Sequence, residues 1–274
     1  MQAETLAPPV VPAVGKTRRN RRWKLWGVRL AVVVVWLGSW ELAATHWIDP
    51  FFYSKPSAIW DRLVDWFTTG TAFGSVWTQI FTTLEEAVLG FVIGAIGGVI
   101  LGILLGRARF AADVLAPFIK AANAVPRIVL ASLFVIWFGL GLTSKVATAV
   151  VLVFFAVFFN AFQGAREVDR NLVANARILG ASNRQVTFQV VIPSATSWIF
   201  TSLHVSFGFA LIGAIVGEFM SSSEGLGHAI FKAGSLYIIP KVFAALVVTI
   251  VLALVLTWLV GKIERLLMPW RRQA

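Results

Sequence analysis

Four groups of polar residues stand inside or at the ends of long apolar stretches, where a polar side chain is costly and is therefore a candidate for function. These candidates are Glu85 and Glu86, then Asn123, Pro126 and Arg127, then His204 and Ser206, and finally Glu218. Carboxyl, guanidinium and imidazole groups at such depth can contact a solute, relay a proton or pair with one another. One interpretation of the pattern is that these residues line a solute pathway.

Each group also has an ordinary interpretation, and both stay open at this point. Glu85 and Glu86 could lie in the outer headgroup layer, and His204 with Ser206 could hydrogen-bond between helices. Pro126 removes a backbone donor and exposes carbonyls, which suits a gate, whereas a packed kink beside a paired or snorkelling Arg127 suits structure alone. Glu218 leads into a flexible polar loop, 221–227.

Signatures of catalysis and nucleotide binding are missing from the sequence. It has no G-x-x-x-x-G-K-[ST] motif, no nucleophile beside a base, no cysteine, and three histidines without metal-ligand spacing. We therefore expect a protein that is not an enzyme and binds no cofactor itself.

The composition places the chain in the membrane. Of its 274 residues, 58% are hydrophobic and 14% are charged, which is far too apolar for a soluble domain of this size. The formal net charge of +11 comes mostly from basic residues beside apolar segments, which is typical of membrane topology and argues against nucleic-acid binding.

Six segments have the length and apolar content to cross a bilayer, which needs about twenty residues each. They are approximately 28–47, 83–106, 114–138, 145–164, 197–219 and 242–262. The segments assigned to the cytoplasm hold seventeen Lys and Arg residues, against five in the outer segments. By the positive-inside rule, both termini are predicted to be cytoplasmic.

Two further patterns concern how these segments pack. Residues 49–76 include apolar positions at helical spacing among charges, which predicts an amphipathic helix at the outer interface. In the second span, glycines recur every four residues: Gly90, Gly94, Gly98, Gly102 and Gly106. Such a bare face predicts close approach of another helix.

The longest polar stretch between two spans is 171–193. Its apolar spacing predicts two short amphipathic helices broken at Gly180, with Ser182 as the N-cap of the second. This stretch is either a simple surface connector or a rigid projection that docks on a partner.

The spacing of Ala176, Gly180, Val190, Ile192 and Pro193 resembles the cytoplasmic "EAA" loop of ATP-binding-cassette (ABC) importer permeases, E-A-A-x3-G-x9-I-x-L-P. Ala174 stands where the family has Glu, and Asn175 where it has its first Ala. The segments 125–128, 133–139, 144–145, 217–219 and 225–227 are similar to the branch that carries nitrate, taurine, sulfonates and thiamine-type pyrimidines.

The resemblance implies an all-α permease of about six transmembrane helices, with the type I importer fold, in the bacterial inner membrane. It also implies a homodimer with two ABC ATPase subunits, which bind ATP and Mg²⁺, and an extracytoplasmic substrate-binding protein. The residues expected to couple to the ATPase are Leu172, Ala176, Arg177, Ile178, Leu179, Gly180, Ala181, Ser182, Arg184 and Pro193. Substrate would be a small polar solute.

On this basis the chain divides into four parts. They are a basic tail (1–27), the first span with the outer amphipathic segment (28–76), a permease core (77–265) whose coupling loop is 165–195, and a short tail (266–274). The alternative is an ion-coupled secondary transporter that uses Glu85, Glu86 or Arg127, although such carriers commonly have inverted repeats, and none is evident here.

Overall fold

The computed structural model describes residues 15–72 and 74–267, and apart from an isolated bridge between Thr71 and Gly74 all regular structure there is helical. The predicted all-α class is thus confirmed. Residues 1–14 of the predicted N-terminal tail and 268–274 of the C-terminal tail lie outside the described residues.

The described chain forms two compact units, which meet in sequence at Ala58. The first contains α1 (Gly15–His46), α2 (Pro50–Tyr53) and the start of α3 (Pro56–Thr68). Asp49 caps α2 by accepting a hydrogen bond from the Phe51 N–H at 2.8 Å. The Glu41 carboxylate accepts bonds from the backbone N–H and the hydroxyl of Ser57, at 2.9 and 2.8 Å.

The second unit holds the rest of α3 and the remaining helices. These are α4 (Val76–Arg107), α5 (Arg109–Ala124), α6 (Leu130–Phe138), α7 (Leu142–Arg166), α8 (Arg170–Ile178), α9 (Asn183–Val186), α10 (Ile192–Ser221), α11 (Leu226–Ser235) and α12 (Ile239–Leu267). The predicted amphipathic helix is α3, in which Ile59 and Trp66 are buried and Trp60 is exposed.

In the described residues, five helices are long and apolar enough to cross a membrane, and a sixth span results if one bent pair is counted together. That pair corresponds to the predicted span 114–138, in which Pro126 predicts a break. Residues 110–124 and 127–138 are two helical pieces that meet at an angle of 73°. The bend falls at Pro126, which cannot donate a backbone hydrogen bond and disfavours helical geometry in the residue before it.

The glycine face of α4 packs against α7, as predicted. A Cβ built on Gly98 would lie 2.8 Å from the Phe154 carbonyl oxygen and 2.9 Å from the Val157 Cβ. Gly102 and Gly106 meet α7 equally closely. Bare backbone on one helix therefore lets the two helices touch along most of their length, and α10 completes a three-helix core with them.

The second short helix predicted after Gly180 does not end before the next span. α9 continues through a π-helical segment, Thr187–Val191, directly into α10. In the π turn, the Ile192 N–H reaches back to the Thr187 carbonyl. This wider turn immediately precedes Pro193, which has no N–H to donate, so the helix passes the proline without stopping.

Candidate functional site

The turn between α8 and α9 has a well-defined geometry. Gly180 adopts φ +83°, a left-handed conformation that favours glycine. Around it the Gly180 N–H donates to the Arg177 carbonyl at 2.9 Å, and the Ala181 N–H donates to the Ala176 carbonyl at 3.0 Å. These bonds satisfy carbonyls at the end of α8, so the glycine ends that helix as predicted.

Ser182 begins α9, also as predicted. Its hydroxyl accepts from the Gln185 N–H at 3.3 Å, while the Gln185 side chain accepts from the Ser182 N–H at 2.8 Å. This reciprocal arrangement is a capping box, which fixes where the helix starts. The two helices are therefore held at a set angle by glycine on one side and serine on the other.

α8 presents two different faces. Val173 and Ala176 pack on a small buried cluster formed by Ala165, Val186 and Val191. The other apolar side chains, Leu172, Ile178 and Leu179, are 52%, 83% and 86% exposed. Two large apolar residues at the tip of a capped turn form an uncovered surface that is suited to contact with another protein. We call this surface the coupling tip, residues 177–182.

Three arginines lie in or beside the coupling tip. Arg177 is in the last turn of α8, and Arg184 lies in α9 with its guanidinium carbon 5.9 Å from the centre of the Phe188 ring. Arg107, at the end of α4, donates to the Asn183 carbonyl at 3.1 Å. Pro193 lies in the first turn of α10, past the π segment.

A second cluster of charged side chains is buried at the opposite ends of α4 and α7. Lys145, at the start of α7, donates to Glu86 of α4 at 2.6 Å and to the Ser222 hydroxyl at 2.9 Å. The Glu86 side chain is fully buried and that of Lys145 is 8% exposed. An unpaired charge at such a buried site would be very costly, so each of Glu86 and Lys145 needs the other as its partner.

Glu218 belongs to the same cluster. One carboxyl oxygen contacts the Thr83 hydroxyl at 2.6 Å, and the other accepts from the Gly227 N–H. The Leu226 N–H donates to the Thr83 hydroxyl at 2.9 Å, and the Gly225 N–H to the Gln79 side chain at 2.7 Å. A Cβ on Gly225 would overlap the Glu218 carboxyl, so only glycine fits there. These contacts fix the start of α11 against α4 and α10. We call this set the polar cluster.

The residues predicted to line a pathway thus lie in separate places. Glu86 and Glu218 come together in the polar cluster, whereas Glu85 is exposed. Ser206 is fully buried in α10, and His204 lies beside α12, its ring 3.4 Å from a Cβ built on Gly261.

Asn123 and Arg127 do come together, at the bend beside Pro126. The Arg127 guanidinium donates to the Asn123 side chain, and its carbon lies 4.7 Å from the centre of the Phe155 ring in the middle of α7. Arg127 is half-buried, so a cation is held against an aromatic ring about halfway along the core.

Sequence reasoning missed Gln79, Thr83 and Lys145. One signal could have found the first two, since Glu86, Thr83 and Gln79 continue the glycine face of α4 by one, two and three helical turns towards its start. A polar extension of a face that packs on another helix must find polar partners there. Among the described residues, no group of three or more His, Cys, Asp or Glu side chains could hold a metal ion.

Comparison with known proteins gives a consistent result. Residues 98–268 match the family described as binding-protein-dependent transport system inner membrane component. The chain is 35% identical over 271 residues to the riboflavin transport system permease protein RibX of Chloroflexus aurantiacus, covering 98% of this chain and 99% of that one. It is 27% identical to the taurine transport system permease protein TauC of Escherichia coli, covering 89% and 88% of the two chains.

Solved structures give the fold. A chain from an inward-facing structure of the MetNI methionine ABC transporter superposes with a TM-score of 0.61 at 17% identity, covering 69% of this chain and 96% of that one. The identity is low, so this similarity concerns the arrangement of helices alone.

Proposed function

Because this chain belongs to the family of binding-protein-dependent transport system inner membrane components, we propose that its coupling tip is the surface through which a separate ATPase drives transport. The chain is the permease subunit of an ABC importer for small solutes, in the inner membrane, and is not itself an enzyme. It binds no cofactor, and its partners are an ATPase and a binding protein. Family membership decides against the ion-coupled carrier.

The observation that carries this proposal is the exposure of Ile178 and Leu179 on a turn that is otherwise rigidly built. Burying each such side chain against a partner contributes about 1.5–3 kcal/mol. A flexible connector would need neither the capping box nor the left-handed glycine. The order of the turn therefore supports a fixed docking surface, with Arg177 and Arg184 as charges at its rim.

We further propose the assembly and its orientation. Two copies of this chain bind two ATPase subunits on the cytoplasmic side, and an extracytoplasmic protein delivers substrate to the opposite face. The distribution of Lys and Arg supports cytoplasmic termini, because seventeen lie in the segments assigned to the cytoplasm and five lie in the outer segments. In this orientation the coupling tip is cytoplasmic and the polar cluster is external. The division of the chain into four parts, with boundaries after residues 27, 76 and 265, is also part of this proposal.

The pathway is proposed to pass the bend at Pro126, where Arg127 stands. A guanidinium stacked on Phe155 beside an amide offers hydrogen-bond donors to a polar solute at mid-membrane depth. Relatives whose names specify riboflavin and taurine support a small polar solute but differ too much in size to narrow it further. Glu85 on α4 and His204 and Ser206 on α10 are the remaining pathway candidates. Glu86 and Glu218 are engaged in the polar cluster.

Substitution of Gly180 tests the coupling tip. A Cβ at Gly180 meets no atom within 4 Å, so the penalty within this chain for a small side chain comes chiefly from the positive φ. Asn tolerates this conformation, whereas the β-branched Val is strongly disfavoured. We therefore expect Gly180→Val to remain in the membrane but to lose ATPase on purification and to transport poorly, and Gly180→Asn to keep much more of both.

The measurements are the amount of ATPase that co-purifies with the permease and uptake of the cognate solute in cells. Wild-type values of both for Gly180→Val would show that the loop is only a connector. The abundance of each variant in the membrane fraction serves as the control for insertion.

A further inference from the structure

The second half of α7 carries two adjacent columns of phenylalanine rings. Phe155 and Phe159 are stacked with their ring centres 6.1 Å apart, and Phe158 and Phe162 are stacked at 6.0 Å. In each pair the residues are four positions apart, so one ring lies above the other along the helix. Phe158 is buried, whereas Phe155, Phe159 and Phe162 are only half-buried. The half-buried rings therefore keep part of their apolar surface uncovered by the described chain.

A cavity of about 470 Å³ lies between these rings and α5. Phe159 and Phe162 line it from α7, Ile119 lines it from α5, and Trp198 lines it from α10. The base of the Trp198 side chain lies close against α7, because a Cβ built on Gly164 would be 2.9 Å from the Trp198 Cβ. Three aromatic side chains thus border one open space between three helices.

The same cavity is lined by polar groups, namely Lys120 of α5 and Asn160 and Gln163 of α7. The ion pairs found among the described residues do not involve Lys120. The Asn160 amide donates to the Ala156 carbonyl at 2.8 Å, and the Gln163 amide donates to the Glu167 carboxylate at 2.7 Å. Each amide oxygen and the Lys120 ammonium group therefore stay available to an occupant of the cavity.

The phenylalanine rings connect this cavity to the bend at Pro126. The Arg127 guanidinium carbon lies 4.7 Å from the centre of the Phe155 ring, and Phe155 is stacked on Phe159, which lines the cavity. The buried Nε–H of Arg127 finds no acceptor in the part of the chain that the structure describes. An aromatic surface therefore runs from one cation at the bend to the cavity where Lys120 lies.

We propose that this surface, formed by Phe155, Phe159, Phe162 and Trp198 and called the aromatic face, selects a flat aromatic solute whose ring carries a carbonyl or carboxylate oxygen. The inference rests on the proposed permease function and narrows the class of substrate. A flat ring stacks on phenyl and indole faces, and an oxygen at its edge accepts hydrogen bonds from the Lys120 ammonium group.

The lining of the cavity favours such a solute over a lipid acyl chain or an apolar helix of a second copy. Either of these would cover the rings but leave an ammonium group and two amide oxygens without partners in an apolar setting, which is costly. A non-aromatic anion would pair with Lys120 but would not stack on the rings. A flat ring with an oxygen at its edge matches both parts of the lining.

Phe159 supplies the deciding variants because its ring lines the cavity. Phe159→Tyr keeps the ring, whereas Phe159→Leu keeps a large apolar side chain without a ring. Phe154→Leu is the matched control on the same helix. The Phe154 ring also contacts neighbouring phenylalanines, but it lies towards α4, where a Cβ built on Gly97 would be 3.5 Å from it.

The experiment measures equilibrium binding of radiolabelled probes to the complete transporter, with permease and cognate ATPase purified together in detergent. Benzoate and riboflavin are the flat probes, and cyclohexanecarboxylate is the partner of benzoate that has the same charge and similar size without an aromatic ring. We expect saturable binding of at least one flat probe, and weaker binding of cyclohexanecarboxylate than of benzoate. Phe159→Leu should bind the flat probe roughly fivefold more weakly than Phe159→Tyr, because stacking is lost. Phe154→Leu should bind it normally.

Three results would overturn the proposal. Saturable binding of neither flat probe would show that the cavity is closed to such solutes in the assembled transporter. Equal affinity of Phe159→Leu and Phe159→Tyr for the bound flat probe would show that the ring is not recognised. Binding of cyclohexanecarboxylate as tight as that of the flat probes would show that the cavity does not select aromatic solutes.

Retention of the ATPase separates this proposal from the proposed function. The Phe159 variants should co-purify with the ATPase as the parent protein does, because Phe159 lies outside the coupling tip. If the flat probes fail to bind while Gly180→Val loses the ATPase, docking at the tip stands and the substrate class falls. If Gly180→Val retains the ATPase and transports normally, the docking role of the tip falls, whatever the probes do.

Discussion

The two ends of the paired helices α4 and α7 differ in whether their charged side chains find partners within the chain. At the polar cluster, Lys145 contacts Glu86 at 2.6 Å, and both side chains are almost entirely buried. At the coupling end, Arg107, Arg166 and Arg177 line an open cavity, and the single carboxylate in ion-pair range lies 3.9 Å away, among the described residues. The same two helices thus end in a closed network on one side and in an unmatched set of cations on the other.

This difference follows from the cost of desolvation. A charge buried inside one chain must be neutralised by that chain, because nothing else can reach it. A charge at an exposed surface has a small desolvation cost because water solvates it. It can therefore stay unpaired within the chain until a partner of opposite charge binds. Internal pairing at one end therefore indicates structure, and missing pairing at the other indicates an interface.

The largest effect is expected from Lys145→Met. This change leaves Glu86 buried without its cation and beside Glu218, and breaking a buried pair in this way typically costs about 3–5 kcal/mol. We expect a marked loss of folded protein, measured as yield and as thermal unfolding in detergent.

The double variant Lys145→Met with Glu86→Leu is the control, because removing both charges avoids leaving one unpaired. It should recover part of the lost stability. If the Lys145→Met single variant were fully stable, internal pairing would not be needed at the polar cluster, and the difference between the two ends would have no structural meaning.

A smaller effect is expected from Gly98→Ala, which tests the contact that joins the two ends. Its new methyl group would lie 2.8 Å from a backbone oxygen of α7, so the helices would have to separate, at a cost of about 1–3 kcal/mol. Gly98→Leu should be worse. Thermal unfolding of the purified permease measures the difference.

Gly97→Ala is the matched control from the next position on the same helix. Its methyl group would meet the Phe154 ring at 3.5 Å, which is ordinary contact. Equal stability of Gly97→Ala and Gly98→Ala would show that the close packing of α4 on α7 is not what joins the two ends.

The smallest effect on stability is expected from Arg127→Ala, between the two ends. Its stacking on Phe155 contributes roughly 1 kcal/mol. If Arg127 contacts solute, uptake should nevertheless fall strongly while the protein stays in the membrane. Arg127→Lys serves as the control that keeps the charge and loses the planar group. Normal uptake by Arg127→Ala would assign the residue to structure.

Local rules were sufficient to predict the coupling tip. The helix break at Gly180, the Ser182 cap and the glycine face of α4 all follow from preferences of single residues or from helical spacing, and the structure confirms each of them. The docking role of the tip stays a prediction, because no partner chain is present.

The polar cluster could not be predicted in the same way. Nothing in the sequence around Lys145 indicates that Glu86, 59 positions away, is its partner. Similarly, Pro126 predicts a break but not its 73° angle, which depends on the packing of both pieces. Continuity past Pro193 required the π segment, for which the sequence has no clear signal.

The uninterrupted helix formed by α9, the π segment and α10 connects the two ends of the molecule mechanically. From Asn183 to Ser221 the helical backbone runs without a loop, over roughly 60 Å at about 1.5 Å per residue. Its first residues follow the coupling tip, and its last turns carry Glu218 and Ser221. Because the helix is continuous, we expect a displacement of the coupling tip by a partner to be transmitted along it to the polar cluster and to the start of α11.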